Sequence, residues 1–459
     1  MTGFAESVQE LLRAEAPIAF AQFADELDAG FIELALRETG AASVRRRKIP
    51  AELVVWLVIA MAMFRDRSIQ EVVNHLGLVL PKKGNGTAGG HVVPSAVPQA
   101  RTRVGAAPIE LIFMSTAEHW ALPAAREATW RGLSLFGVDG TVLRVPDTEE
   151  NRSAFGLPGS GRGQAGYPQV RIVTLMALRS HLMAAAAIGP CRGKQTGELS
   201  LARELWSQVP ENSLTVLDKL FLSHADLYEV VCGGSSAPNG NRHWLVRAKS
   251  NTKWTTVQRF GSGDALVQIK PTPQARKANP DLPETLVVRA VKYQIKGFRP
   301  QWLLTSLVDA ETYPANEIAG LYHERWELEV GYDEVKTHML EREEALRSKT
   351  AEGTRQEVWG VLLAYNLIRR KILHVARSFG LQPNRISFRH SLQLIRVFCL
   401  VEAWTSAPGN LPRRLEGLCD MLSELLVLPP RRTERRYKRH VKIKMSPYKR
   451  NPGRPARYA

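Results

Sequence analysis

The sequence has few cysteines, no long hydrophobic run and no leader-like N-terminus, and each absence removes a class of protein. The longest apolar run, 53–64, is too short to cross a bilayer. The N-terminal residues include acidic groups and no apolar core, so we expect no secretory signal and a cytoplasmic protein. The scattered cysteines form no CxxC pair and have no histidine at zinc-ligand spacing, which excludes zinc fingers and disulfide scaffolds (Cys191, Cys232, Cys399 and Cys419).

Negative charge is scarce relative to positive charge. The 459 residues carry a formal net charge of +17, which favours a polyanionic partner, nucleic acid before membrane. Segment 431–459 contains twelve Lys or Arg against one Glu, so it holds about +11 of that charge. Its prolines and glycine make a packed core there improbable. We expect an arm that neutralises DNA phosphates, with a solubilising tail as the alternative.

The chain is long enough for two or three domains, and residues 1–128 have a helical pattern. Pro50 stands at the start of the apolar run, as in many helix N-termini. The spacing of Ser68 and Glu71 predicts a capping box. The basic connection 45–48 suits a DNA-binding module, while a plain helical bundle fits the same pattern.

The pattern changes to strands in segment 129–235, which we expect to be the first part of an α/β catalytic domain. Three strands, a helix, a strand and a helix follow one another. This is the element order of a ribonuclease-H-like fold, a sheet with mixed strand directions. The predicted runs are 133–145, 167–179, 181–189, 197–209, 213–218 and 223–231.

Residues 236–312 are rich in strand-like runs broken by Gly and Pro, which predicts a β-rich insertion within that domain. Its tryptophans suit a small β core better than stacking on unpaired bases (Trp244, Trp254 and Trp302). The remaining segments are predicted as the second part of the catalytic domain (313–380), a helical C-terminal region (381–430) and the basic tail (431–459).

The most informative segment is 322–336, YHERWELEVGYDEVK, whose Glu, Leu and Lys content predicts a helix. At 100° per residue, one phenol, two cations and one carboxylate fall within about one sixth of its circumference: Tyr322, Arg325, Glu329 and Lys336. Such a stripe suits a site that holds a metal ion against phosphate. A solvated helix with ordinary ion pairs is the alternative. Asp333 lies close to the same stripe and is the rival carboxylate.

Two further acids complete a possible metal site. Asp139 and Asp218 each follow an apolar, strand-like run, where a sheet presents carboxylates at its edge. A single aspartate in such a place is usually a turn residue. Together with Glu329 from a covering helix, the two aspartates supply the oxygen ligands that hard divalent cations require.

The four-residue spacing resembles the Tyr-Arg-Glu-Lys signature of bacterial insertion-sequence transposases of the insertion-element-four family, within the DDE (Asp-Asp-Glu) group. Asp139-Gly140-Thr141 is similar to the family's first-acid motif, and Asp218 stands at the second-acid position. The stretches LTSLVDAETYPANEIAGLYHERWELE and QEVWGVLLAYNLIRR extend the resemblance over nearly the whole chain. One departure follows the second acid, where Lys219-Leu220 replaces the family's Arg-Gly.

The resemblance implies a transposase that binds the terminal inverted repeats of its element and moves it by cut-and-paste. The run RRRKIPAELVVWLVIAMAMFRDRSIQEVV also resembles the family's N-terminal domain, which favours residues 1–128 as a helical DNA-binding domain. It implies double-stranded DNA as partner, a homodimer or larger assembly on DNA, a hairpin intermediate, and a cytoplasmic, nucleoid-associated bacterial protein without a membrane partner. Two Mg²⁺ ions, with Mn²⁺ as the alternative, would be held by the three acids, and the other motif residues would contact phosphates (Asp139, Asp218, Glu329; Tyr322, Arg325, Lys336). A hydrolytic DNA nuclease and an inactive transposase-derived DNA-binding protein remain as alternatives.

Overall fold

The protein was analysed as a computed structural model. It describes residues 27–42, 49–75, 95–160, 163–164, 166–235, 238, 240–294, 299–341, 345–405, 411–425 and 427–428. The basic connection 45–48 and the basic tail 431–459 lie outside the described residues.

The N-terminal region is helical, as the sequence predicts: α1 (Ala29–Glu38), α2 (Ala51–Met63), α3 (Ile69–His75), α4 (Ala96–Val104) and α5 (Ala107–Glu127). The predicted capping box at the start of α3 is confirmed. The Ser68 N–H donates to Glu71 Oε2 at 2.7 Å, and the Glu71 N–H donates to Ser68 Oγ at 3.2 Å. Most of α2 is buried. Within the described ranges, no helix combines the length and apolarity needed to cross a membrane.

The middle of the chain supplies the strands. They are β1 (Ser134–Arg144), β2 (Gly159–Ser160), β3 (Gly163–Gln164), β4 (Gln169–Ala177), β5 (Met183–Pro190), β6 (Ser213–Leu217), β7 (Arg242–Arg247), β8 (Thr255–Gly261), β9 (Asp264–Ile269), β10 (Leu286–Tyr293) and β11 (Gln301–Thr305). The helices among and after them are α6 (Glu149–Phe155), α7 (Glu198–Ala202), α8 (His224–Cys232), α9 (Pro273–Ala278), α10 (Ala315–Glu324), α11 (Trp326–Asp333), α12 (Ala351–Ser378), α13 (Phe388–Thr405) and α14 (Leu411–Leu425).

Nine of these strands form one mixed sheet in the order β5-β4-β1-β6-β7-β11-β10-β9-β8. Strand β6 runs parallel to both β1 and β7, and the other neighbours are antiparallel. The β-rich segment 236–312 therefore continues the sheet of the preceding segment through β7. The protein is a mixed α/β fold in which both β-rich segments share one sheet.

Two hydrophobic cores cover the two faces of the sheet. The first core joins sheet residues to the N-terminal helices, α11 and α12, and includes Leu135 and Leu328. The second core joins the opposite face to α7 and α8, and includes Val138 and Leu201. Trp244 is buried in this second core, which confirms the core interpretation of that tryptophan.

One helix is shorter than the sequence predicts. Residues 197–209 do not form a continuous helix, because α7 ends at Ala202 and a separate 3₁₀ turn follows at Trp206–Gln208. Two side chains at this break, those of Arg203 and Trp206, bind the buried Asp226 carboxylate on α8. Arg203 Nε donates to Asp226 Oδ1 at 2.8 Å, and Trp206 Nε1 donates to the same oxygen at 3.2 Å. Asp226 thus has a structural role.

Candidate active site

The two predicted aspartates lie side by side at the end of the β1–β6 pairing. Val138 and Leu217 are register partners on these parallel strands, and Asp139 and Asp218 are the next residues along each. The expectation that Asp139 ends its strand is wrong, because β1 continues to Arg144. The neighbouring strand β6 ends at this level instead. The Asp139 side chain therefore lies where β1 is no longer paired with β6.

The backbone alternation directs both aspartates to one face of the sheet. A Cβ added at Gly137 would lie 2.7 Å from Leu328 Cδ1 on α11, so this face of β1 is covered by α11. Asp139 is two residues further on the same face. Val216 belongs to the same core as Leu328, and Asp218 follows it by two residues.

Asp139 is a carboxylate whose charge is poorly compensated. Its pKa is raised to about 6, mainly by burial, and the nearby charges of Glu198 and Asp218 act in the same direction. The Gly140 N–H, which donates to Asp139 Oδ1 at 2.9 Å, and the Arg325 guanidinium act in the opposite direction. A half-buried carboxyl with this balance favours either a proton or an added cation.

The motif segment is not the single regular helix that the sequence predicts. Helix α10 ends at Glu324, α11 begins at Trp326, and a π-helical turn occupies Glu334–Met339. Hydrogen bonds of the i to i+3 type tighten the chain around Arg325, and the Leu340 N–H donates to Val335 O across five residues. The constant rotation of 100° per residue therefore does not extend to Lys336.

Arg325 links the three predicted acids. Its Nη2 donates to Glu329 Oε1 at 2.9 Å, and its guanidinium also interacts electrostatically with Asp139 and Asp218. Asp333 is turned elsewhere, with its side chain 61% exposed and its Oδ1 accepting from the Thr337 hydroxyl. Geometry thus favours Glu329 over Asp333 as the third acid.

The Tyr322 ring packs at an angle against a second aromatic ring, that of Tyr293, beside this site. Its ring centroid is 5.9 Å from that of Tyr293, and burial raises the pKa of Tyr322 to about 12. Asp218, Arg325 and Arg247 all influence the Tyr322 hydroxyl electrostatically, so five of the six predicted site residues, all except Lys336, belong to one cluster. Lys336 lies farther along, half-buried in the π-helical turn.

Sequence reasoning missed two groups: Tyr332, which joins the motif helix to the sheet, and Arg247, which lies beside Asp218. The buried Tyr332 hydroxyl donates to Asp139 O at 2.5 Å and lies 2.9 Å from Thr174 Oγ1 on β4. Arg247 Nη2 lies 3.7 Å from Asp218 Oδ1. Its position at the end of an apolar strand run, HWLVR, is the signal that would have indicated it.

The donor set was compared with the needs of a divalent metal. In the parts of the chain that the structure describes, no three Asp, Glu, His or Cys side chains already stand in a metal-binding group. The chemistry of the set nevertheless fits a hard cation, because its ligands would be carboxylate oxygens and Asp139 has a pKa that is raised by burial and, to a smaller extent, by the charges of Glu198 and Asp218. Glu329 Oε1 accepts from Arg325 Nη2, so metal ligation by this oxygen would compete with that hydrogen bond.

Comparison with known proteins was made on sequence and on structure. A family model described as insertion element 4 transposase N-terminal matches residues 17–114, and one described as transposase DDE domain matches residues 130–367. The chain is 38% identical over 419 residues to the transposase InsG for insertion sequence element IS4 of Escherichia coli K12, covering 91% of each protein. It is 37% identical over 231 residues to the putative transposase InsZ of the same organism, covering 50% of this chain and 72% of the relative.

A solved structure, the piggyBac transposase synaptic complex with hairpin DNA, aligns with a TM-score of 0.39 at 11% identity. The alignment covers 89% of this chain and 83% of that one.

Proposed function

The chain belongs to the insertion-element-four family of DDE transposases, and from this membership we propose how it cuts and joins DNA. It binds the terminal inverted repeats of its own element, cuts there, and joins the freed 3′-hydroxyls to target DNA by a cut-and-paste route. The observation that carries the proposal is the pair of aspartates adjacent in register, Asp139 and Asp218, beneath the helix that bears Glu329.

We interpret the core of the sheet as ribonuclease-H-like. Strands β5, β4 and β1 are antiparallel neighbours, and β6 and β7 follow in parallel to β1. The strands beyond β7 are then the inserted part of segment 236–312. The segment boundaries 128, 235, 312, 380 and 430 remain predictions.

Asp139, Asp218 and Glu329 would hold the divalent metal on which DDE transposase domains generally depend. Two Mg²⁺ ions, or Mn²⁺ in their place, would activate the attacking oxygen and stabilise the leaving one. The aspartates contribute fixed positions, since both follow paired strand residues. Glu329 contributes the third carboxylate once a phosphate takes over its partner Arg325.

Arg325, Tyr322 and Lys336 would hold phosphates of the DNA. A guanidinium grips two phosphate oxygens at once, whereas an ammonium acts as a point charge. The half-buried position of Arg325 among carboxylates strengthens its electrostatic interactions, because the local dielectric is lower than that of water. Double-stranded DNA is the partner, and a homodimer or larger assembly on DNA is the form that we expect to be active.

The test uses DNA that carries the element's ends, a target plasmid and Mg²⁺. We expect the parent protein to cut at the ends and to join them to the plasmid. Asp139→Asn and Asp218→Asn should abolish both steps and leave binding to the ends within about threefold, because these carboxylates supply metal ligation rather than DNA affinity. Cutting without joining would indicate a nuclease, and full activity of either variant would contradict the assignment.

A further inference from the structure

Arg247 lies in the candidate site although no part of the four-residue motif includes it. It is the last residue of β7, next in register after the pair Leu217 and Val246, and therefore stands beside Asp218. Its side chain is 31% exposed, and that of Asp218 is 34% exposed. The two side chains are thus both partly exposed to solvent where the central strands β6 and β7 end.

The contacts of Arg247 leave much of its guanidinium available. In the described part of the chain, its side chain forms an ion pair with Asp218 at 3.7 Å and interacts electrostatically with the hydroxyls of Tyr293 and Tyr322. A charge-assisted hydrogen bond is about 2.7–2.9 Å long, so the ion pair is loose. A guanidinium has five N–H donors, and most of these remain for another acceptor.

A structural arginine on the same sheet shows the contrast. Arg289 is 1% exposed, and its guanidinium donates to both carboxylate oxygens of Asp264 and to two main-chain carbonyls, those of Asp309 and Tyr313. The guanidinium of Arg289 is thus buried and uses most of its N–H donors. The guanidinium of Arg247 is partly exposed and uses few of them, which separates Arg247 from residues that only stabilise the sheet.

We propose that Arg247 and the Tyr293 hydroxyl form a further phosphate-binding subsite for the DNA strand at the cleavage point, on the Asp218 side of the site. This inference rests on the proposed function. The subsite complements Arg325, which approaches the same carboxylates from the motif helix, so the two guanidinium groups contact phosphates from two sides. The ligand is a backbone phosphodiester of DNA, since the exposed donors lie beside carboxylates expected to act on that backbone.

The experiment combines a protein change with a change in single phosphates. Element-end DNA is prepared with one neutral methylphosphonate linkage at a time across the cleavage point, and binding is measured for the parent and for Arg247→Gln. In the parent, we expect one linkage to weaken binding about tenfold when it is neutral. For Arg247→Gln, neutralising the same linkage should weaken binding less than about twofold. Linkages contacted by other residues should keep their effect on binding.

Arg259→Gln is the matched control, because it removes one exposed arginine from β8 at the far edge of the sheet. It should keep the parent's pattern of sensitive linkages. Arg247→Lys, which preserves the charge next to Asp218, should give an intermediate penalty and carries the test if the Gln variant unfolds.

Identical linkage patterns in the parent and in both Arg247 variants would overturn the subsite. Slower cleavage with an unchanged pattern would likewise overturn it, since that result assigns Arg247 to the support of Asp218 alone. The proposed function fails separately, if the parent protein itself neither binds nor cuts the element ends.

Discussion

At the level of single residues, three carboxylates of the candidate site interact with one cation, Arg325. Arg325 is hydrogen-bonded to Glu329 and also neutralises part of the charge of Asp139 and Asp218. Even so, burial holds the pKa of Asp139 at about 6. A metal ion and a DNA phosphate together would resolve the competition of these carboxylates for one cation, the metal ion binding the carboxylates and the phosphate binding the arginine.

Arg325→Lys and Lys336→Ala test the phosphate contacts. Each should slow cleavage at least about tenfold on pre-assembled complexes with element ends, because charged hydrogen bonds at a buried site are strong. Arg377→Lys is the control, since Arg377 forms a comparable but exposed ion pair with Glu127 at 2.7 Å. If the motif were only a solvated helix, both changes would alter cleavage less than about threefold, as surface pairs do.

The sequence alone indicated candidate site residues where they lie close together in the chain. Glu329 and Arg325 are four residues apart, and the structure joins them at 2.9 Å. Tyr332 was missed because its partner is 193 residues away in the chain. Arg247 was missed for a related reason, since its place beside Asp218 depends on the register of two parallel strands.

At the scale of elements, the position of α11 on β1 decides where the third carboxylate stands. Gly137 allows the close approach of Leu328, the residue before Glu329. The π-helical turn that follows is held by a buried ion pair between Glu334 and Arg369 of α12. The sequence predicted the helices and strands but not these adjustments, because hydrophobic periodicity does not reveal where a helix tightens or widens.

Gly137→Ala should displace α11 from the sheet. The added methyl group would meet Leu328 Cδ1 at 2.7 Å and Leu178 Cδ2 at 2.9 Å. We expect a loss of about 1–3 kcal/mol in the free energy of unfolding, as in other overpacked cores. Cleavage should slow at least about tenfold, because small displacements of catalytic groups are costly. Urea unfolding and a cleavage assay measure the two effects.

Gly261→Ala is the matched control for this change. Gly261 also lies in a strand, β8, and a Cβ added there would meet no atom within 4 Å. It should leave cleavage unchanged and alter stability by no more than about 0.5 kcal/mol. Equal effects of the two substitutions would mean that the packing of Leu328 on β1 does not depend on glycine at position 137.

At the scale of the whole molecule, the N-terminal helices and the candidate catalytic region share one hydrophobic core. Glu357 of α12 lies at their junction. Arg65 Nη1 donates to Glu357 Oε1 at 2.9 Å, and the N–H of Ser348 donates to Oε2 at 2.9 Å. The sequence predicted two separate regions here, and their joint core depends on contacts between residues nearly 300 positions apart.

Deleting 431–459 tests the electrostatic contribution of the basic tail. The deletion removes about +11 of the +17 net charge, so DNA binding should weaken for all sequences alike. The slope of log K against log salt should flatten, while the preference for element ends over other DNA should remain, because phosphate contacts carry no sequence information. An unchanged slope would show that the tail does not contact DNA.

We propose that Glu329 completes a catalytic triad with Asp139 and Asp218. The most direct test is Mg²⁺-dependent cleavage of element-end DNA by Glu329→Gln and Asp333→Asn, compared with the parent after binding has been shown to be equal. We expect no detectable cleavage by Glu329→Gln and near-parental cleavage by Asp333→Asn, because the Asp333 carboxylate is exposed and bound to Thr337. An active Glu329→Gln together with an inactive Asp333→Asn would contradict it.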